Sequence, residues 1–243
     1  MRQEFASMQS IESAGAVAGN LRRVQERIAR AAERSGRSPE AVTLVLAGKT
    51  VSADRVRAAV EAGASHVGEN YVQEARAKSA ALGDLPIHWH MIGHLQTNKA
   101  KDAVALFEVI QSLDSLRLAK EVSRRAEQAG RVVRALIEVN AGLEDSKFGV
   151  APQEVFALLE EVSRLPNLAV EGLMTLGPLA PDAERARPVF VMLRELAEEI
   201  RGQWLPNVSM LHLSMGMSAD FETAIEEGAT IVRVGTAVFG PRG

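Results

Sequence analysis

The chain has 243 residues, a formal net charge of −3 and no cysteine. The lack of cysteine excludes disulfides, thiolate metal sites and cysteine nucleophiles, and the weak acidic balance argues against nucleic acid or an anionic membrane surface as a partner. No apolar run approaches the roughly 20 residues that span a bilayer. Because the N-terminus also lacks a basic region followed by a long apolar segment, we expect a cytoplasmic protein.

The periodicity of apolar residues predicts a regular series of elements. Residues 1–19 are weakly periodic and are predicted to form a loosely ordered lead-in, whereas Asn20 is the expected N-cap of a first helix that ends at 35–39. Short apolar runs then alternate with amphipathic segments. The predicted strands cover residues 42–48, 66–68, 87–93, 107–113, 132–140, 168–176, 210–213 and 231–234. The predicted helices between them cover residues 53–62, 71–82, 97–104, 115–128, 152–164, 182–201 and 219–227.

This alternation predicts the architecture. Strands that alternate with helices pair in parallel through right-handed crossovers. Eight such units predict an α/β fold, a single (β/α)8 TIM barrel over residues 20–243 with an extra N-terminal helix. An open doubly wound sheet is the alternative. In a barrel, the residues that follow the strands form the functional face.

Lys49 is the first candidate functional residue, because the first apolar run stops at it. Side chains alternate along a strand, so Lys49 points to the same side as Val45 and Ala47. If that side faces the barrel interior, the amine lies at the mouth of an apolar cavity, where a lysine can attack an aldehyde and form a Schiff base. The alternative is an ordinary surface lysine just past a strand end.

The last two strands are followed by small residues that suit an anion. Ser214 opens the loop after the seventh strand, and Gly235 and Thr236 follow the eighth. Backbone N–H groups in such loops often bind phosphate in these barrels. A phosphate there and an imine-forming Lys49 on the adjacent first strand would suit a ligand with an aldehyde and a phosphate, such as pyridoxal 5′-phosphate (PLP). The alternative is that these residues only serve tight turns.

Arg233 should point into the barrel, since it alternates with Ile231 and Gly235. A buried arginine needs a partner, and a ring nitrogen between lysine and phosphate could accept its hydrogen bond. An ion pair with Glu138 or Glu171 is the competing interpretation. His88 and His90 share a strand face, but without a clear set of further ligands we predict no metal site.

Several segments together resemble the PLP homeostasis protein family, single-domain relatives of the alanine racemase N-terminal barrel. The matching residues run in order from about residue 20 to the C-terminus. They are residues 44–50, 68–74, 89–99, 146–149, 171–174, 213–220 and 232–240. One departure is Gly48, where the family usually has serine or threonine; a glycine there could loosen the backbone before Lys49.

The resemblance implies a set of binding residues and a function. It implies PLP held as a Schiff base on Lys49, phosphate contacts from Ser214, Gly235 and Thr236, Arg233 facing the pyridine nitrogen, and a pocket lined by Asn70 and Met174. It further implies a non-catalytic protein of vitamin B6 homeostasis, with no catalytic residue, whose partners are PLP and PLP-dependent apoenzymes. A PLP-dependent amino-acid racemase is the alternative, although such racemases take a second proton-transfer group from another domain. We expect a monomer or weak dimer.

Overall fold

Eight parallel strands form a closed barrel in chain order, β1 to β8. The computed structural model describes residues 2–141, 148–177 and 182–241, with side chains from residue 14 onward. The strands are β1 Thr43–Ala47, β2 His66–Glu69, β3 His88–Met91, β4 Val109–Leu113, β5 Val133–Glu138, β6 Leu168–Met174, β7 Val208–Ser214 and β8 Ile231–Val234. The predicted barrel is therefore confirmed, and the open sheet is wrong.

Helices connect the strands and cover the barrel. They are α1 Arg2–Arg34, α2 Ala53–Glu61, α3 Val72–Ala81, α4 Ala100–Leu106, α5 Leu116–Gln128, α6 Val155–Val162, α7 Arg187–Arg201, α8 Phe221–Glu226 and α9 Thr236–Phe239. Short 3-10 turns precede α4, α6 and α7. The four-residue α9 was not predicted. In the described part of the chain, no helix is both long and apolar enough to cross a bilayer.

The first helix differs from the prediction. It begins at Arg2, so the predicted start at Asn20 is wrong. Residues 14–19, part of the predicted lead-in, are helical, and Val17 is only 1% exposed. The side-chain amide of Asn20 does not cap this helix but donates to the Val238 carbonyl at 2.9 Å. α1 packs against α2, α8 and α9, and the burial of Val17 places the turn before Asn20 in the core, where packing stabilises a helix despite its weak local periodicity.

The core has two layers because strand side chains alternate between the two faces of the barrel wall. The larger layer lies between strands and helices. The smaller layer fills the barrel interior and consists of Val45, Val109, Leu136, Met174 and Ile231. The barrel closes between β1 and β8, where Val45 lies opposite Arg233. This closure brings the residues that follow β1 next to those that follow β8.

Candidate functional site

A cavity of about 1190 Å³ opens at the carboxyl ends of the strands. Its wall includes the residues that follow β1, β2, β3 and β8. Five of the seven predicted binding residues lie on this wall: Lys49, Asn70, Arg233, Gly235 and Thr236. The structure thus brings an amine, a guanidinium and a glycine turn to one cavity.

Lys49 is half-buried and follows β1. Its Nζ lies 5.7 Å from the centroid of the Tyr71 ring, which also lines the cavity. The preceding residue is held on both sides, because the N–H of Gly48 donates to Gly68 at 2.9 Å and its carbonyl accepts from Lys78 Nζ at 2.6 Å. The following Thr50 has a φ of +63°, a left-handed conformation that β-branched residues rarely adopt. Such backbone strain occurs most often at functional sites.

Arg233 is 3% exposed and points inward as predicted. Its Nη1 donates to Ser214 Oγ at 2.5 Å, and its Nη2 donates to the Thr175 carbonyl at 2.7 Å. Burial lowers the pKa of Arg233 to about 10, against the attraction of Glu138 and Asp220, so the guanidinium stays charged at neutral pH. The competing partner Glu171 pairs with Arg134 instead, at 2.7 Å.

Gly235 and Thr236 lie where β8 passes into α9. The hydroxyl of Ser218 accepts from the N–H of Gly235 at 3.2 Å and from the N–H of Ala237 at 3.3 Å. A Cβ on Gly235 would lie 3.2 Å from the Ala47 carbonyl, so a side chain there would crowd the junction of β8 with β1. Because these two N–H groups are bonded within the turn, the donors that it presents to the cavity are the hydroxyls of Ser218 and Thr236.

Ser218 was missed by the sequence prediction, which favoured Ser214 in the same loop. Ser218 lines the cavity, whereas Ser214 is the last residue of β7, fully buried, and donates to Gln111 Oε1 at 2.6 Å. Met174 is also fully buried and packs in the interior layer. The available signal was position: Ser218 stands just before α8, whereas Ser214 still belongs to the apolar run of β7.

Asn70 lines the cavity just after β2. Its backbone passes so close to Gly93 that a Cβ on that glycine would lie 2.6 Å from the Asn70 carbonyl oxygen. The close approach brings the ends of β2 and β3 together at the cavity.

Glu138 is a second buried charged group on the wall, at 5% exposure. Burial, with repulsion from Asp114, raises its pKa to about 7, although Arg233 acts in the opposite direction. Its Oε2 has no hydrogen-bond partner among the described residues. A buried polar atom without a partner is costly unless a ligand or water satisfies it.

His88 and His90, which share a face of β3 and for which no metal site was predicted, do not line the cavity. His88 contacts Glu108 at 2.8 Å near the surface, while His90 is buried in the interior. Within the described residues, no group of three or more His, Asp or Glu side chains has an arrangement that could hold a metal ion.

Fold and site together define a (β/α)8 barrel with a cavity at the carboxyl ends of its strands, a lysine after its first strand and a turn of small residues after its last. Comparison with known proteins narrows this class. The family model for the alanine racemase N-terminal domain matches residues 19–243. The chain is 48% identical to the pyridoxal phosphate homeostasis protein of Aquifex aeolicus, over 91% of this chain and 96% of that protein. It is 43% identical to the protein of the same name from Pseudomonas aeruginosa, over 93% and 96% of the two chains.

A solved structure is similar as well. PipY of Synechococcus elongatus, solved with PLP bound, superposes with a TM-score of 0.78 at 39% identity, covering 89% of this chain and all of that chain. The chain therefore belongs to the pyridoxal phosphate homeostasis protein family, within the alanine racemase N-terminal domain family.

Proposed function

We propose that this protein binds PLP through a Schiff base on Lys49 and contributes to PLP homeostasis without turning over a substrate. The observation that carries the proposal is the convergence of Lys49, Arg233 and the Gly235–Thr236 turn on one cavity wall across the β1–β8 closure. The amine, the donor for a ring nitrogen and the phosphate cradle match the aldehyde, the pyridine nitrogen and the phosphate of PLP. The PLP-bound structure of PipY, a close relative, supports the assignment.

The residues present fit this group. On the cavity wall, the buried Oε2 of Glu138 has no hydrogen-bond partner among the described residues, and a polar group of a bound ligand would supply one. The hydroxyls of Ser218 and Thr236, which line the cavity after β7 and β8, would donate to the phosphate. Arg233 would donate to the pyridine nitrogen from its buried position.

Arg233 is also the reason to propose a carrier rather than an enzyme. PLP acts as an electron sink most strongly when a carboxylate keeps its ring nitrogen protonated. Arg233 remains charged at neutral pH and can only donate. Carbanion chemistry would therefore be weak in this site, whereas binding would not suffer.

Absorption spectroscopy tests the anchor. The purified protein loaded with PLP should show an imine band, and borohydride reduction followed by peptide mass spectrometry should find the added mass on Lys49. Lys49→Ala should abolish the band. Lys99→Ala is the matched control, because Lys99 lines the same cavity, and it should keep the band. A full band in Lys49→Ala, or label on another lysine, would contradict the proposal.

An amino-acid racemase is the second candidate. It is favoured by Tyr71, whose ring lies 5.7 Å from Lys49 Nζ and gives the cavity a second proton carrier. The PLP-loaded protein should convert L-alanine to D-alanine no faster than free PLP does. Sustained turnover that is lost in Tyr71→Phe would favour the racemase instead.

A further inference from the structure

Five polar side chains form a continuous hydrogen-bonded chain through the barrel interior. They come from β8, β7, β4, β3 and β2, so the chain crosses the barrel from the cavity to the opposite end. The bonds are Arg233 Nη1 to Ser214 Oγ at 2.5 Å, Ser214 Oγ to Gln111 Oε1 at 2.6 Å, Gln111 Nε2 to His90 Nδ1 at 3.0 Å, and His90 Nε2 to His66 Nδ1 at 3.0 Å. Nothing in the cavity chemistry described above uses Gln111, His90 or His66.

The hydrogen bonds in this series all run in one donor-to-acceptor direction, which Arg233 sets. A guanidinium can only donate, so Ser214 accepts from it and passes its own hydroxyl hydrogen to the Gln111 carbonyl oxygen. The amide N–H of Gln111 then donates to His90 Nδ1. His90 must therefore carry its hydrogen on Nε2, from where it donates to His66. Each side chain thus donates a hydrogen bond to the next one in the series. In this arrangement both histidines are neutral Nε2–H tautomers.

Burial keeps this arrangement in place. Ser214, Gln111, His90 and Arg233 are 0–3% exposed, and only His66 at the far end is half-buried. Burial is the main cause that lowers the pKa of His90, to about 3, and it lowers the pKa of His66 as well. The charged or titratable groups that act on the two rings are His88, Glu108, Arg134 and His212; of these, only Glu108 favours protonation, and it acts on His66.

We propose that Ser214, Gln111, His90 and His66 are positioning residues that hold the guanidinium of Arg233 in one orientation toward the ligand cavity. The inference rests on the proposed function, since the ligand they serve is the pyridine nitrogen of PLP. An arginine on a long flexible side chain has many rotamers, and two fixed bonds, to Ser214 and to the Thr175 carbonyl, leave its remaining N–H groups for the cavity. Gln111, held in turn by His90 and His66, orients the hydroxyl of Ser214 and so preserves its bond to Arg233.

Nitrogen NMR of the histidine rings tests the chain in the protein without PLP, so the result does not depend on the proposed function. His90 and His66 should both show a bare Nδ1 and a protonated Nε2 at neutral pH. In Gln111→Glu, residue 111 can no longer donate, so His90 should move its hydrogen to Nδ1 or become an imidazolium. An Nδ1–H tautomer of His90 in the unmodified protein would overturn the chain.

PLP titration tests the positioning. Gln111→Leu removes both bonds of the amide and should weaken PLP binding about two- to tenfold, the range expected for one lost hydrogen bond. The matched control is Ser112→Ala, one residue away on β4, because Ser112 is equally buried and its Oγ has no partner among the described residues. Ser112→Ala should leave the PLP affinity and both tautomers unchanged. Unchanged affinity in a folded Gln111→Leu protein would overturn the positioning role; if that variant does not fold, an unchanged affinity in Ser214→Ala, which removes the acceptor of Arg233 Nη1, would do so.

Discussion

The residue before Lys49 shows how one position can depend on the residues packed against it. Gly48 replaces the serine or threonine expected from the family resemblance, and a Cβ there would collide with Oε1 of Glu69. Glu69 is fully buried and bound to Lys78 at 2.6 Å, so it has little room to move. The glycine does not loosen the backbone, because both of its polar backbone atoms are hydrogen-bonded.

The buried Glu138 leads to a prediction about how the free energy of unfolding depends on pH. The folded state raises the pKa of Glu138 to about 7, mainly through burial. Between its usual pKa of about 4.3 and 7, the folded protein holds a proton that the unfolded chain has lost. The free energy of unfolding should therefore fall as pH rises through this window, by about 1–3 kcal/mol from this group.

Glu138→Gln should remove that contribution. We expect the loss of unfolding free energy between pH 5 and pH 8, measured by urea denaturation without PLP, to be smaller in Glu138→Gln than in the parent. All other groups are common to both proteins, so the difference isolates Glu138. An identical pH dependence in the two proteins would show that the carboxyl is not held neutral in the fold.

Among the elements, α3 contacts the backbone next to Lys49 through one buried lysine. Its Lys78 is 8% exposed and bonds both Glu69 at the end of β2 and the Gly48 carbonyl after β1, each at 2.6 Å. One ammonium thus ties two neighbouring strand ends together directly before Lys49. Breaking a buried pair is costly because the remaining charge has no partner.

Lys78→Met should destabilise the protein by about 3–5 kcal/mol at neutral pH. Burial raises the pKa of Glu69 even with Lys78 opposing it, and removing the lysine raises it further. A raised carboxyl pKa means that folding stability is lost as pH increases, so the destabilisation should be larger at pH 8 than at pH 5. Urea denaturation measures both values. The exposed Lys120 on α5 is the control, and Lys120→Met should change stability little at either pH.

The elements also show what could be predicted from the sequence. The strands were predictable because a strand buried on both faces forms a short apolar run, and Lys49 and Arg233 followed from alternation along such runs. By contrast, α9 has only four residues, too short for a helical period. Ser214 contacts Gln111 on β4 and Ser218 contacts the turn after β8, so both contacts are long-range and the local sequence offered only the position of Ser218 before α8. Gln111 was predicted only as part of a strand, since its partners lie 21 and 103 residues away.

For the whole molecule, the closure of the barrel joins the two ends of the described chain. Arg37 bonds the carbonyls of Ile225 and Ala229 at 3.0 and 2.8 Å, and Arg27 pairs with Glu222 at 2.8 Å. These contacts bridge more than 180 residues of sequence. The turn after β8, which is the proposed phosphate cradle, lies at this closure, so its geometry depends on helices from the start of the chain.

The carbonyls at the end of α9 make this dependence testable. Asn20 on α1 donates to the Val238 carbonyl at 2.9 Å, and Arg55 on α2 donates to the Phe239 carbonyl. Both bonds fix the short helix that begins at Thr236. Asn20→Ala should therefore weaken PLP binding about two- to tenfold, although Asn20 does not line the cavity.

Leu21→Ala separates this effect from general destabilisation. Leu21 is the next residue of α1, is 1% exposed and belongs to the larger core layer between strands and helices. Its truncation should cost about 2–5 kcal/mol of stability, yet PLP affinity measured well below the unfolding temperature should stay at the parent value. If the two variants weakened PLP binding equally, α1 would act on the cradle through overall packing, and the bond from Asn20 would have no separate role.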